Sequence, residues 1–336
     1  VGGAANLVVV VLALELFGVL STLLISRLRG GRRVSEAMGK YFLYSVVFSV
    51  VILYGLSWFY GVTGSSDMVA ISRVLQQTDV TLRGVLIPAL VLVVVGMVGK
   101  TAAAPFHQWL PDVCEGIPGT AVLFFLTAPM VMGFAGLVRV TITMLPVDLR
   151  VLDVDFGTLL SALAALSILV GGLLALWQKN LKRFLAYLNV AHVGYLLMGV
   201  VVYFGIPQAE RPLVEAVAVA QQGVSAAWYA LLAHVLSVAG VYLAASVLSR
   251  DTGSYAIASY AGMHRRSPEM AWPFLICLLS LVGLPPMAGF VARLYLLSAV
   301  IEAGLLWVAV VGVIGGVIGL ACAWKVIRVM FVAPAQ

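Results

Sequence analysis

Lysine is scarce in this chain. Only five occur in 336 residues, at positions 40, 100, 179, 182 and 325. One of them, Lys100, lies inside an apolar run and just ahead of a proline, a histidine and a tryptophan, in MVGKTAAAPFHQWLPD. Glu15, Arg139, His192, Glu215, His234 and Arg293 also fall within apolar runs. A charge at mid-bilayer costs ~2.5–3.5 kcal/mol even on lenient insertion scales, so such residues face protein or water and mark ion or proton paths. Burial lowers the proton affinity of a lysine and a nearby carboxylate raises it again, so a movable Glu–Lys pair can hold or release a proton. Glu15, Lys40 and Lys100 would approach one another if the helices carrying them pack together. Structural readings stand beside these. Glu15 also suits a purely structural pairing with an arginine. Lys40 and Arg139, near span ends, suit snorkelling to the interface. His192 and His234 suit satisfied core histidines.

The elements that would hold these residues follow from composition. The chain is 62% hydrophobic and 10% charged, with a mean hydropathy of +1.09; a soluble domain carries about 25% charged residues. The fold class is therefore all-α: a polytopic transmembrane bundle. At about 20 apolar residues per span, nine spans emerge: 4–26, 41–62, 84–105, 119–145, 156–178, 183–204, 216–249, 268–302 and 304–330. The seventh is overlong, and Gly283, Pro285, Pro286 and Gly289 interrupt the eighth. With nine spans, thirteen basic residues fall on one side: Arg27, Arg29, Arg32, Arg33, Lys40, Lys179, Lys182, Arg183, Arg250, Arg265, Arg266, Lys325 and Arg328. Four fall on the other: Arg73, Arg83, Arg150 and Arg211. Basic loops stay cytoplasmic or matrix-side. That asymmetry fixes orientation and accounts for a pI near 9.3 without nucleic acid.

Proline breaks helices, and broken membrane helices survive only where their backbone faces protein or a wet cavity. Breaks follow Lys100 and precede Arg293, in the third and eighth spans, so five spans separate them. That spacing points to an inverted five-helix repeat with a transport path between its halves. The first half covers residues 1–145 and the second 156–330, including the broken helix 268–302. Cys114, Cys277 and Cys322 are far apart and form no CxxC, so they outline neither a disulfide framework nor a zinc site.

The motifs GKTAAAPFHQWLPDVCEGIPGTAVLF, QKNLKRFLAYLNVAHVGYLLMG and LSLVGLPPMAGFVARLY, with EAMGKYFLYSVVFSVVILYGLSWFYGVTG and the ALEL around Glu15, resemble the antiporter-like proton-pumping membrane subunits of respiratory complex I, the subunit N type. The resemblance implies fourteen core helices and a central polar axis that carries protons. It maps Glu15 onto the family's key glutamate, Lys40 onto a lysine of the next helix, Lys100 onto the lysine of the first broken helix, and Lys182 and His192 onto positions of the second repeat. His234 falls where this type often has tyrosine. It implies Glu15 and Lys40 as a coupling pair, Lys100 as the proton-holding site, His192 and His234 as relay groups, and Arg293 as a fixed charge toward the exit. Three departures stand out. Met130 occupies the place of a relay lysine. Arg293 replaces another lysine and, permanently protonated, carries protons poorly. About four helices before Glu15 and one after residue 336 have no counterpart here, and the chain opens without methionine.

The sequence has no cysteine cluster and no GxGxxG fingerprint after a strand, so this chain is expected to bind no flavin, iron–sulfur cluster or nicotinamide. Flavin, iron–sulfur clusters and quinone would belong to partner subunits. Expected partners are the other membrane-arm subunits of complex I, adjacent antiporter-like subunits among them, a chain supplying the missing helices, and lipids such as cardiolipin, with no nucleic acid. The setting is a mitochondrial inner membrane, with a bacterial plasma membrane as the alternative. Three other functions stay open: a subunit of a sodium/proton antiporter or membrane-bound hydrogenase, a structural homologue within complex I that does not pump, and a membrane transferase or hydrolase using His107, Asp112 and Cys114.

Overall fold

The computed structural model describes residues 2–28, 31–77, 80–119, 121–144, 150–151, 154–204 and 213–333. Arg29, Arg211 and Glu210 lie outside the described residues. The helices are α1 (Leu7–Ser26), α2 (Gly31–Thr63), α3 (Met68–Gln77), α4 (Val80–Lys100), α5 (Trp109–Gly116), α6 (Ala121–Met144), α7 (Phe156–Trp177), α8 (Leu181–Val201), α9 (Leu213–Thr252), α10 (Met263–Arg266), α11 (Pro268–Val282), α12 (Ala288–Glu302) and α13 (Leu306–Ile327). A minimal antiparallel pair, β1 (Arg150–Val151) with β2 (Val154–Asp155), precedes α7.

Seven of these helices are long and apolar enough to cross a membrane. The shorter apolar helices Leu86–Lys100 and Pro268–Val282 are the ones read from sequence as interrupted. The nine expected spans therefore each have a counterpart among the described residues, and the chain is an integral membrane protein. Two boundaries differ from expectation, and α3 is an added helix. α4 ends at Lys100, not 105, because Pro105 can neither donate a helix bond nor fit against the preceding turn. α2 begins at Gly31, so Lys40 stands inside the helix and not at its first residue. α3 is too short and too mixed in polarity to read as a span.

Local signals explain the ends. The Asn6 side chain caps α1 by accepting from Val8 N–H, and Asn180 does the same for α8 through Lys182 N–H. Gly283, at φ +74°, closes α11 in the left-handed conformation.

α8 is the central pillar, with 94% of its apolar window buried against 33% for α1. It packs against α7 through small residues, the usual device for close helix approach in membranes. A Cβ on Gly194 would come within 2.6 Å of the Ala164 carbonyl.

Cross-connections gather the described basic loops on one face. Ile257 N–H donates to Lys179 O, Leu181 N–H to Tyr255 O, and Gly262 N–H to Val329 O. Lys325 Nζ donates to the carbonyls of Leu176 and Gln178 at 2.7 and 2.5 Å. At the opposite face, Asn6 bridges to Asp67.

Candidate functional site

Lys100 ends α4, where the unpaired carbonyls and the negative pole of the helix favour a cation by ~0.3–1 kcal/mol. Its Nζ donates to Glu15 Oε1 of α1 at 3.4 Å, and to Ser45 O and Oγ of α2 at 3.4 and 3.5 Å. The lysine side chain is 9% exposed and the glutamate 30%. Helix packing brings them together: Gly18 of α1 leaves space for Ser45 Oγ, which a Cβ there would meet at 2.4 Å. The break that follows is held from outside the helix. Trp109 Nε1 donates to Gly99 O at 3.2 Å, and Ala104 N–H to Ser167 Oγ of α7 at 3.0 Å. Beside Lys100 a small cavity of about 20 Å³, bordered by Tyr41, Ser45, Trp109 and Gly133, has room for about one water.

Lys40 does not join this cluster. Its Nζ bonds Glu36 at 2.9 Å and Asp112 at 2.7 Å, so the expected Glu15–Lys40 pair is not formed; Glu15 pairs with Lys100 instead. Asp112 also accepts from Arg183 at 2.9 Å, and Glu115 accepts from the same guanidinium at 2.8 Å. Lys182, buried, donates to Ile117 O at 2.8 Å and lies 4.4 Å over the Tyr255 ring.

His192 of α8 and His234 of α9 stack, with ring centroids 3.9 Å apart and planes 15° from parallel. His192 Nε2 lies 3.1 Å from Ala230 O, an acceptor only, so that nitrogen carries the proton. His234 Nε2 meets Asn189 Oδ1 at 2.8 Å, while its buried Nδ1 has no partner among the described residues. At this spacing two charged rings would repel strongly. Arg293 of α12 sits 4.6 Å from the Tyr195 ring centre and donates to Leu281 O at 3.3 Å. Tyr195 in turn donates to Gly312 O of α13 at 2.7 Å.

The expected candidates thus fall into three groups: Glu15 with Lys100, Lys40 and Lys182 at the basic face, and His192 with His234 beside Arg293. Met130, 1% exposed, packs in the apolar core, and α6 offers no ionisable side chain before Arg139. Arg139 donates to Ala4 O at 2.7 Å near the opposite face. The alternative trio does not assemble: Asp112 is engaged by two cations, and His107 Nδ1 is without a hydrogen-bond partner among the described residues. Ser45, Asn189 and Tyr195 were not singled out from sequence. Asn189 and Tyr195 stand three residues either side of His192, a helical spacing that places all three along one side of α8.

Residues 4–319 match the family described as NADH:quinone oxidoreductase/Mrp antiporter, transmembrane. NADH-quinone oxidoreductase subunit N of Chlorobium chlorochromatii (strain CaD3) is 35% identical over 327 residues, covering 94% of this chain and 60% of the relative. The chain thus spans about three-fifths of that relative's length. A chain of respiratory complex I from Thermus thermophilus with bound aureothin superposes with a TM-score of 0.79 at 30% identity, covering 100% of this chain and 68% of that one. A chain of the Mrp complex from Dietzia sp. DQ12-45-1b superposes with a TM-score of 0.85 at 22% identity, covering 99% and 58%; this likeness concerns the fold alone. The chain belongs to the NADH:quinone oxidoreductase/Mrp antiporter transmembrane family.

Proposed function

We propose that the chain is an antiporter-like membrane subunit of a proton-translocating NADH:quinone oxidoreductase. The observation that carries this reading is the Lys100–Glu15 pair, a nearly buried ammonium on a carboxylate beside a helix break and a cavity with room for one water. While Glu15 faces Lys100, the ammonium is stable in its apolar surroundings. When a charge change in a neighbouring subunit draws the carboxylate away, the buried ammonium is left unpaired and gives up its proton. Ser45 then serves as the hydroxyl partner of the neutral amine. The stacked His192–His234 pair takes one proton at a time, and Arg293 supplies the fixed field beyond it. Lys40 and Lys182 act at the basic face, where protons enter. Water carries the proton past Met130.

In this reading, flavin, iron–sulfur clusters and quinone reside in partner subunits, and NADH oxidation there drives the translocation. The partners are the other membrane-arm subunits, neighbouring antiporter-like chains and anionic lipid. The bacterial relatives favour a bacterial plasma membrane over the mitochondrial inner membrane. A sodium/proton antiporter subunit is the weaker reading, since the likeness to the Mrp chain is one of fold at 22% identity.

The test is NADH-driven pumping by the whole complex in inverted vesicles, with Lys100→Ala or Glu15→Gln and assembly confirmed. The rate of proton pumping should fall about tenfold, equivalent to ~1.4 kcal/mol of lost transition-state stabilisation. Unchanged pumping and quinone reduction in an intact complex would make the chain a scaffold instead. Sodium-driven proton movement without NADH would favour the antiporter reading.

A further inference from the structure

We infer that Asp112 is a positioning residue: its one carboxylate ties the first helix break to α2 and to α8 and thereby sets where Lys100 stands. The inference rests on the proposed function of Lys100. α5 has eight residues, far below the length at which a helix is stable alone, so its placement depends on what grips it. Asp112 Oδ2 accepts from Lys40 of α2 at 2.7 Å, and Oδ1 accepts from Arg183 of α8 at 2.9 Å. The flanking residues extend the clamp. Glu115 bonds the same Arg183, and Lys182 holds Ile117 O, the residue that closes α5.

The clamp reaches Lys100 within one turn. Trp109, three residues before Asp112, packs edge-on against Tyr41 at 5.4 Å and donates to Gly99 O. Tyr41 follows Lys40, so consecutive residues of α2 grip two points on one side of α5. The acceptor Gly99 directly precedes Lys100. On its far side the clamp leads into α8, which carries Asn189, His192 and Tyr195. Asp112 therefore joins the lysine half to the histidine half.

Energetics favour a geometric role over a stabilising one. The charged side chains line an open cavity of about 300 Å³ at the basic face. Asp112 is 33% exposed, Arg183 28% and Lys40 39%. Pairs so exposed contribute about 0–1 kcal/mol each. What the shared carboxylate supplies is a fixed angle between three helices. Held between two cations, it is a poor proton carrier.

The test uses the assembled complex in vesicles in a Cys114→Ala background, with Ala37→Cys and Gly116→Cys as a cross-linkable pair. A Cβ on Gly116 would lie 2.8 Å from Ala37 Cβ, about 1 Å closer than the roughly 3.8 Å a disulfide spans. α5 therefore moves out slightly before the bond ties it to α2 without Asp112, and the cross-linked complex with Asp112 intact is the control for that shift. Asp112→Asn should slow cross-linking at least about fivefold and lower protons per electron by a similar factor. Asp112→Glu should restore both. Oxidation of the cysteine pair should restore pumping to Asp112→Asn, and a reductant should remove it again. Equal cross-linking rates with aspartate and asparagine would overturn the inference, whatever pumping does. So would a cross-linked Asp112→Asn complex that still fails to pump while the cross-linked complex with Asp112 intact pumps, since charge and not position would then matter. If Lys100→Ala itself pumps normally, the proposed function fails instead, and the cross-linking rate still decides whether Asp112 places α5.

Discussion

The two broken helices solve one packing problem with different chemistry. The first break, between α4 and α5, closes around Lys100, an amine that can lose its proton, facing Glu15 at 3.4 Å. The second, between α11 and α12, closes around Arg293, whose guanidinium stays protonated and rests on Tyr195 and the Leu281 carbonyl. Arg293 has no ion-pair partner among the described residues. The surroundings differ too. At the first break Gly99 is crowded by a side chain, with the Phe48 ring 2.3 Å from where a Cβ would stand. At the second, Gly289 is crowded by backbone, with Ser280 O only 1.8 Å away. A titratable ion pair beside a ring that can turn is suited to movement. A permanent charge in a backbone-locked turn is suited to holding a constant field.

The largest expected effect tests the mechanical half of this contrast. Gly289→Ala forces α12 away from α11, because a carbonyl cannot rotate aside as a ring can. Overpacking costs typically 1–3 kcal/mol, and this case should lie at or above about 3 kcal/mol. It would show as a large loss of assembled complex and a lower melting point. Gly99→Ala should cost half as much or less, since the Phe48 ring borders the small cavity beside Lys100 and can turn toward it. Equal costs would mean that the first break is as rigid as the second.

The chemical half is tested by exchanging the cations. Lys100→Arg keeps the charge and a partner for Glu15 but removes the labile proton. Pumping should fall about tenfold, ~1.4 kcal/mol, with assembly intact. Arg293→Lys keeps the charge that the second break requires. Pumping should stay within about twofold, whereas Arg293→Gln should lower it about fivefold. If Lys100→Arg pumps normally, the first break also needs only a fixed charge and the contrast collapses.

How much of this was legible depended on range along the chain. Lys100 and Glu15 stand out because charges are costly in apolar runs, and both breaks are written in local proline and glycine patterns. Nine spans follow from hydropathy and loop charge, which are local as well. Lys40 was legible as a charge but not as a partner. Its ion pair with Asp112 joins residues 72 apart, and nothing near Lys40 distinguishes Asp112 from Glu15 as its acceptor. The His192–His234 stack likewise depends on how α8 and α9 cross. α3 was missed because MVAISRVLQQ is neither long nor apolar enough to announce itself.

The smallest expected effect asks what holds Arg293 in place. Tyr195 offers two handles, a ring under the guanidinium and a hydroxyl on Gly312 O. Tyr195→Phe removes only the hydroxyl bond. Gly312 lies within α13, where a carbonyl already serves the helix ladder, so no acceptor is orphaned. The cost should be about 0.5–1 kcal/mol of stability, with protons per electron unchanged. Tyr195→Leu removes the ring as well and, with it, a cation–π contact of about 0.5–2 kcal/mol. The guanidinium is then free to leave the line of the histidines, and pumping should fall about two- to threefold. Measured side by side, the two variants separate the fixed charge from the fold that carries it. If phenylalanine lowers pumping as much as leucine does, the bond to α13 aligns Arg293, and the second break is held through α13 and not through the ring of Tyr195.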